Sequence, residues 1–224
     1  MRRESSTVVA LVGHVSASVL AALAESSNVA VVPTPTARQA GHTSQPGQPA
    51  RPSVPSVPSA PAAWEPGALA MREAACRGAT YVVVPADPLA GVAAAWRAMW
   101  DVAAGPDAAA GFEESVADIL VAWRAKRFEL PDYYLVIAPP EDTATGPDLY
   151  LGPMRAARPH RVAVAATATQ DEGAGSGGLA SALSLLDTLR SLPHGQWWPP
   201  LDELLDAARH FYAGGLAETQ QAPV

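Results

Sequence analysis

The chain has 224 residues, of which 49% are hydrophobic, and a formal net charge of −7. This length and apolar content predict one globular domain with a hydrophobic core. The acidic charge and the lack of a large Lys and Arg cluster argue against nucleic acid as a partner, because phosphate contacts need clustered cations. No run approaches the roughly 18 consecutive apolar residues of a membrane span, so we expect no membrane association.

The N-terminal segment predicts a strand, a helix and a second strand. Residues 7–12 form an apolar run that ends at Gly13, as expected of a strand buried on both faces of a parallel sheet. A helix at 15–24 and a strand at 28–32 follow. The basic N-terminus before this stretch also resembles a secretory signal, but polar residues interrupt the apolar run. We therefore predict a cytoplasmic protein, with export as the alternative.

Residues 33–66 differ in composition from the rest of the chain. They hold many of its 22 prolines, with Ser, Gln, Gly and Thr between them. Proline removes backbone donors, and such a segment cannot bury enough apolar surface to offset the entropy lost on ordering. We predict a disordered Pro/Ser-rich loop inserted into the domain. Its Pro-x-x-Pro spacing leaves open a ligand for a proline-binding groove.

Helices and strands alternate again after the insertion. A helix at 67–77 precedes a strand at 81–84, and helices at 89–104 and 112–129 lead to a fourth strand at 133–138. The alternation predicts crossover connections, in which helices cover a sheet of parallel strands.

The C-terminal part predicts a fifth strand at 161–166, helices at 179–192 and 201–213, and a frayed tail at 217–224. We therefore predict an α/β fold in which residues 1–224 form a single domain. Its sheet is mostly parallel and five-stranded, with helices on both faces in a three-layer sandwich. The order of the strands cannot be read from the sequence.

The motifs of common enzyme classes are missing. The sequence has no phosphate-binding G-x-x-x-x-G-K-[ST] loop, no dinucleotide-binding glycine motif and no G-x-S-x-G nucleophile elbow. Its five histidines are scattered and have no cysteine ligands beside them, so we predict no metal site. We also predict no cofactor. A glycine-rich stretch before the 179–192 helix leaves open an anion site, with Thr167, Gly175 and Gly177 as candidate ligand-binding residues; a flexible loop is the alternative.

Polar residues follow three of the predicted strands. His14 comes after the first strand, Asp87 after the third and Glu141 after the fourth. Ligands of open parallel sheets bind outside the carboxyl ends of the strands, and a histidine near carboxylates suffices for acid–base chemistry. These three residues are therefore the candidate catalytic residues. Polar residues also collect in turns that have no function, and an Asp before Pro88 is an ordinary helix cap.

Two adjacent tryptophans, Trp197 and Trp198, join the last two helices. Neighbouring side chains of an extended segment point to opposite sides, and tryptophan is enriched at the centres of protein interfaces. We predict either a lid over the core or a contact surface for a protein partner or a second copy of the chain.

The missing motifs favour a non-catalytic interaction or regulatory protein on an α/β scaffold. The alternative is a small-molecule-binding protein or an enzyme whose cleft lies at the carboxyl ends of the strands. Whether the chain is an enzyme stays open, because a fold of this class hosts many functions.

Overall fold

The computed structural model describes residues 6–33, 63–100, 107–138, 148–166 and 176–220. Within these ranges, five strands form one all-parallel sheet in the order β2-β3-β1-β4-β5, so that β1 lies in the centre. The strands are β1 (Thr7–Val12), β2 (Val29–Val31), β3 (Tyr81–Val84), β4 (Tyr133–Ala138) and β5 (Val162–Ala166). The α/β class and the five-stranded parallel sheet predicted from the sequence are confirmed.

Seven α-helices accompany the sheet in the described part of the chain. A single π-helical turn, Tyr150–Met154, precedes the fifth of them, and none of the helices described is long and apolar enough to cross a membrane. The helices are α1 (Ala17–Ala24), α2 (Glu65–Ala74), α3 (Ala90–Trp100), α4 (Asp107–Arg124), α5 (Arg155–Ala157), α6 (Ser176–Arg190) and α7 (Leu201–Gln220).

Helices cover both faces of the sheet, because successive strand residues point to opposite sides. In β1, Val9 and Leu11 pack into one apolar core with residues of α1 and α6. Ala10 and Val12 point the other way and contact a second core built with α3, α4 and α7. Helix α2 packs over β3 on this second side, through Met71 and its neighbours. The layers on both sides explain why the strands are almost wholly apolar.

Several boundaries differ from the sequence prediction, among them that of α4, which covers Asp107–Arg124 and not the predicted 112–129. Helix α2 begins at Glu65, inside the predicted 33–66 insertion, whereas residues 34–62 of that insertion lie outside the described residues. Helix α7 continues through Gly214 and Gly215 to Gln220, so these glycines do not end it. An interior glycine costs a helix only about 1 kcal/mol relative to alanine, which a long helix packed on a core tolerates. Helix α6 likewise begins at Ser176, within the predicted glycine-rich stretch.

Candidate functional site

The turn after β3 places an acidic residue at the start of α3. Strand β3 ends at Val84, and three residues later Asp87 caps the next helix. One carboxyl oxygen of Asp87, Oδ1, accepts a hydrogen bond from the Leu89 amide at 3.1 Å, and its backbone carbonyl accepts one from the Ala90 amide at 3.2 Å. The helix-cap role expected from the sequence is therefore present, and the cap fixes the carboxyl group at the carboxyl end of the sheet.

Two tyrosine hydroxyls also contact this carboxyl group. The hydroxyl of Tyr134, the second residue of β4, donates to Oδ1 of Asp87 at 3.1 Å. The Tyr150 hydroxyl, from the start of the π-helical turn, donates to Oδ2. All three residues are buried, and Asp87 is only 7% exposed. Three separate elements of the chain therefore meet at one carboxyl group.

Burial determines the titration of this cluster. It raises the pKa of the Asp87 carboxyl to about 6, although the hydrogen bonds from Tyr150, Leu89 and Tyr134 favour the charged form and limit the rise. Burial and the negative charge of Asp87 raise the pKa values of Tyr134 and Tyr150 well above the ordinary value. Both hydroxyls therefore keep their protons, whereas the carboxyl group titrates close to neutral pH.

A second acidic residue orients Tyr150. The Oδ1 atom of Asp148 accepts hydrogen bonds from the backbone amides of Tyr150 at 2.8 Å and of Leu151 at 3.2 Å. Its Oδ2 atom pairs with the Arg97 guanidinium of α3 at 3.3 Å. The turn that carries Tyr150 is thus tied to the same helix that Asp87 caps. Single π-helical turns of this kind are frequent at functional sites.

A cavity of about 360 Å³ opens beside this cluster, outside the carboxyl ends of β1 and β3. Its walls are mainly small and apolar, and its ionisable side chains are those of Asp87 and Tyr150. We call it the Asp87 cavity. Among the residues that line it are Gly13, Gly67, Ala86, Asp87, Ala90 and Tyr150.

Two glycines that line the Asp87 cavity make close contacts that a β-carbon would disturb. Gly13 has a φ of +111°, which L-residues rarely adopt, and a β-carbon there would lie 3.1 Å from the carbonyl oxygen of Ile137. A β-carbon on Gly67 would collide with the backbone of Asp87 and Pro88. The first turn of α2 can therefore lie directly against the Asp87 turn only because residue 67 has no side chain.

The candidate catalytic residues do not all meet at this cavity. Asp87 lines it, whereas the imidazole of His14 is exposed to solvent and lies outside the lining, although the adjacent Gly13 belongs to it. Glu141 lies outside the described residues. The described residues contain no cluster of three or more His, Cys, Asp or Glu side chains that could hold a metal ion.

The candidate ligand-binding residues lie mostly outside the described part of the chain, so the anion site stays a prediction. Thr167 and Gly175 lie outside the described residues, and Gly177 belongs to the first turn of α6. The residues that the sequence did not single out are Tyr134 and Tyr150. No local pattern reveals them, because their role depends on contacts with a carboxyl group 47 and 63 positions away in the chain.

The tryptophan pair lies at another part of the surface, and its two members differ. Trp198 is buried; its indole N–H donates to the carbonyl of Pro131 at 2.8 Å. Trp197 is 37% exposed, and the guanidinium of Arg161 lies 4.8 Å from its ring centroid and 4.8 Å from that of Tyr133. A contact surface at this corner would therefore present Trp197 and not Trp198.

Trp197 also lines a groove of about 280 Å³ beside the amino ends of β1 and β4. Four basic residues contribute to its walls, and Phe128 is among the apolar residues that line it. Two acidic residues, Glu129 and Asp132, line it as well. We call it the basic groove, and its defining residues are Arg72, Arg77, Lys126, Arg127, Phe128 and Trp197.

No protein-family model, curated protein or solved structure matches the chain, so its functional assignment depends on the side chains described above.

Proposed function

We propose that the protein binds a small organic molecule in the Asp87 cavity. The observation that carries the proposal is the Asp87 carboxyl group, which is buried beside a cavity at the carboxyl ends of two adjacent parallel strands. Ligands of open parallel sheets bind at this edge.

The size and composition of the Asp87 cavity support the proposal. Ligand sites are commonly about 300–1,000 Å³ in volume, with apolar walls and a few fixed polar groups. The Asp87 cavity has 360 Å³, apolar walls, and the Asp87–Tyr150 pair as its polar group. Side chains that are hydrogen-bonded on several sides hold a fixed orientation, which favours selective recognition.

A helix cap alone does not explain an acidic residue at position 87. Asn caps a helix about as well as Asp, and it carries no charge whose burial would oppose folding. The carboxyl group here is buried, and its pKa is raised to about 6 by that burial. Carboxyl groups with a shifted pKa beside a cleft are concentrated at functional sites. The energetic cost of burying the Asp87 carboxyl group therefore favours a role in binding.

Filling the cavity tests the proposal. Ala90 lines the Asp87 cavity from the first turn of α3, and Ala94 lies one turn further along the same helix at an exposed position outside the lining. We expect a library of small metabolites to contain compounds that raise the melting temperature of the wild-type protein and of Ala94→Leu, but not of Ala90→Leu. A library without any such compound, or one whose hits stabilise Ala90→Leu equally, would contradict the proposal.

A second candidate function is the docking of an acidic protein partner in the basic groove. It is favoured by the partly exposed ring of Trp197 next to four basic side chains on a chain whose net charge is −7. Complementary charge steers and orients a partner, and exposed tryptophans anchor it. This candidate keeps the interaction hypothesis drawn from the sequence, with Trp197 as the anchor.

Charge reversal tests this second candidate. A fluorescein-labelled peptide of alternating glutamate and leucine serves as the probe, and fluorescence anisotropy as the measurement. We expect the double variant Arg72→Glu, Arg127→Glu to bind it at least tenfold more weakly than the wild type. Arg124→Glu, on the exposed end of α4 outside the groove, is the matched control. No binding by the wild type, or equal loss with the control, would exclude the groove as the docking site.

A further inference from the structure

We infer that the ligand of the Asp87 cavity carries an ammonium group, which pairs with the Asp87 carboxylate. This inference rests on the proposed function and assigns the chemical class of its ligand.

The described hydrogen-bond donors to the Asp87 carboxylate are all uncharged. They are two tyrosine hydroxyls and the backbone amide of Leu89. The guanidinium of Arg97 pairs with Asp148 at 3.3 Å and not with Asp87. A buried carboxylate that lacks a positively charged partner carries an uncompensated cost of desolvation. A cation that enters the adjacent cavity would recover part of this cost.

The carboxyl group also keeps hydrogen-bonding capacity for such a partner. An ionised carboxylate has about four acceptor positions. Two described donors, Leu89 and Tyr134, use Oδ1, and one, Tyr150, uses Oδ2. Oδ2 can therefore accept one more hydrogen bond. An ammonium group donates strong, charge-assisted hydrogen bonds to an oxygen of this kind.

The walls of the Asp87 cavity select against anions. Beside Asp87 and Tyr150, the described residues that line it are small or apolar and include no Lys, Arg or His. A carboxylate or phosphate on the ligand would meet the negative charge of Asp87 without any opposing cation. The apolar walls fit an aliphatic or aromatic body, so the expected ligand is a small monoamine with an apolar side group.

A matched set of probes tests the charge of the ligand. The set pairs primary amines of increasing size, from propylamine to benzylamine and phenethylamine, with the alcohol and the carboxylate of the same carbon skeleton. Isothermal titration calorimetry at pH 7.5 measures binding. We expect at least one amine to bind, its alcohol to bind at least tenfold more weakly, and its carboxylate not to bind. An alcohol or carboxylate that binds as tightly as its amine would overturn the inference, as would a set in which no amine binds.

Two further measurements link the amine to Asp87. Asp87→Asn keeps an acceptor for the Leu89 amide but removes the charge, and we expect it to weaken amine binding at least tenfold while binding of the alcohol changes little. The wild-type protein gives the same information without a variant, since protonation of Asp87 at pH 5 is expected to weaken amine binding several-fold relative to pH 7.5. Amine affinity that depends neither on residue 87 nor on pH would overturn the inference.

Ala90→Leu separates failure of the inference from failure of the proposed function. If neutral or anionic compounds bind and Ala90→Leu abolishes their binding, the cavity is a ligand site and only the ammonium inference falls. If no compound of any charge responds to Ala90→Leu, both fall.

Discussion

The Tyr150 hydroxyl donates a hydrogen bond to the Asp87 carboxyl group across 63 positions of the chain. This bond joins the cap of α3 to the π-helical turn that follows β4, and it lies beside the Asp87 cavity. Both partners are buried. The consequences for stability and titration can be measured without knowledge of the ligand.

The stability of the fold should depend on the protonation of Asp87. The pKa of this group is about 6 in the folded protein, above its ordinary value of 3.8, so the folded state binds the proton more tightly than the unfolded state. The protonated carboxyl group therefore contributes its full stabilisation of the fold below about pH 4, and this contribution is lost as the pH rises through about 6. We expect this group to lower the free energy of unfolding by about 3 kcal/mol between pH 4 and pH 7.

Urea unfolding at a series of pH values measures this effect. Asp87→Asn does not titrate at this position, so the difference between its pH dependence and that of the wild type isolates the contribution of Asp87. Parallel pH profiles for the two proteins would show that the carboxyl group does not titrate as its burial requires.

The two tyrosines should affect the carboxyl group unequally. Tyr150 lowers the pKa of Asp87 more than Tyr134 does. We therefore expect both Tyr150→Phe and Tyr134→Phe to raise this pKa, with the larger rise for Tyr150→Phe, and each to cost about 1–3 kcal/mol of stability at neutral pH. Carbon-13 NMR titration of the aspartate carboxyl carbons gives the pKa directly. A lower pKa in either variant would contradict the assigned hydrogen bonds.

A β-carbon at position 67 should disrupt the Asp87 cavity. It would collide with the backbone of Asp87 and Pro88, so we expect Gly67→Ala to destabilise the protein by more than about 2 kcal/mol. Gly111, in the interior of α4, is the matched control, because nothing lies within 4 Å of a β-carbon there. We expect Gly111→Ala to stabilise the protein by about 0.5–1 kcal/mol. Thermal unfolding of both variants measures the two effects, and a neutral Gly67→Ala would exclude the close contact.

The adjacent tryptophans should differ in their contribution to stability. Trp198→Phe leaves the Pro131 carbonyl without its donor and a gap in a buried site, so we expect a loss of about 2–3 kcal/mol. Trp197→Phe keeps an aromatic ring for the Arg161 guanidinium at a partly exposed position, and we expect a change below about 1 kcal/mol. Guanidinium unfolding measures both. Equal losses would show that the two rings are buried alike.

Sequence reasoning finds what depends on neighbouring residues. The valine-rich runs predict the strands, and the position of Asp87 after β3 predicts both its helix cap and its place at the strand ends. The sequence does not predict the hydrogen-bond partners of the Asp87 carboxyl group. Tyr134 looks like any aromatic residue of a buried strand, and the π-helical turn that starts at Tyr150 has no signature in the sequence.

The sequence likewise does not predict the order of the strands or the residues that line the Asp87 cavity. They depend on how elements distant in the chain pack together, as at Gly67, where one missing side chain lets α2 contact the Asp87 turn. His14 shows a second limit of prediction from the sequence. It follows β1 as the sequence predicts, but a position at the end of a strand does not determine which way the side chain points.

The central position of β1 has a consequence for the order of folding. The neighbours of this strand in the sheet are β3, with Thr7 opposite Tyr81, and β4, with Val9 opposite Tyr133. One edge of β1 can pair only after β3 at Tyr81–Val84 has been synthesised, and the other only after β4 at Tyr133–Ala138. Pairings between residues so far apart slow folding, because a long loop must close before any contact is gained. Until both pairings have formed, β1 exposes the edges of an apolar strand, and such edges promote aggregation.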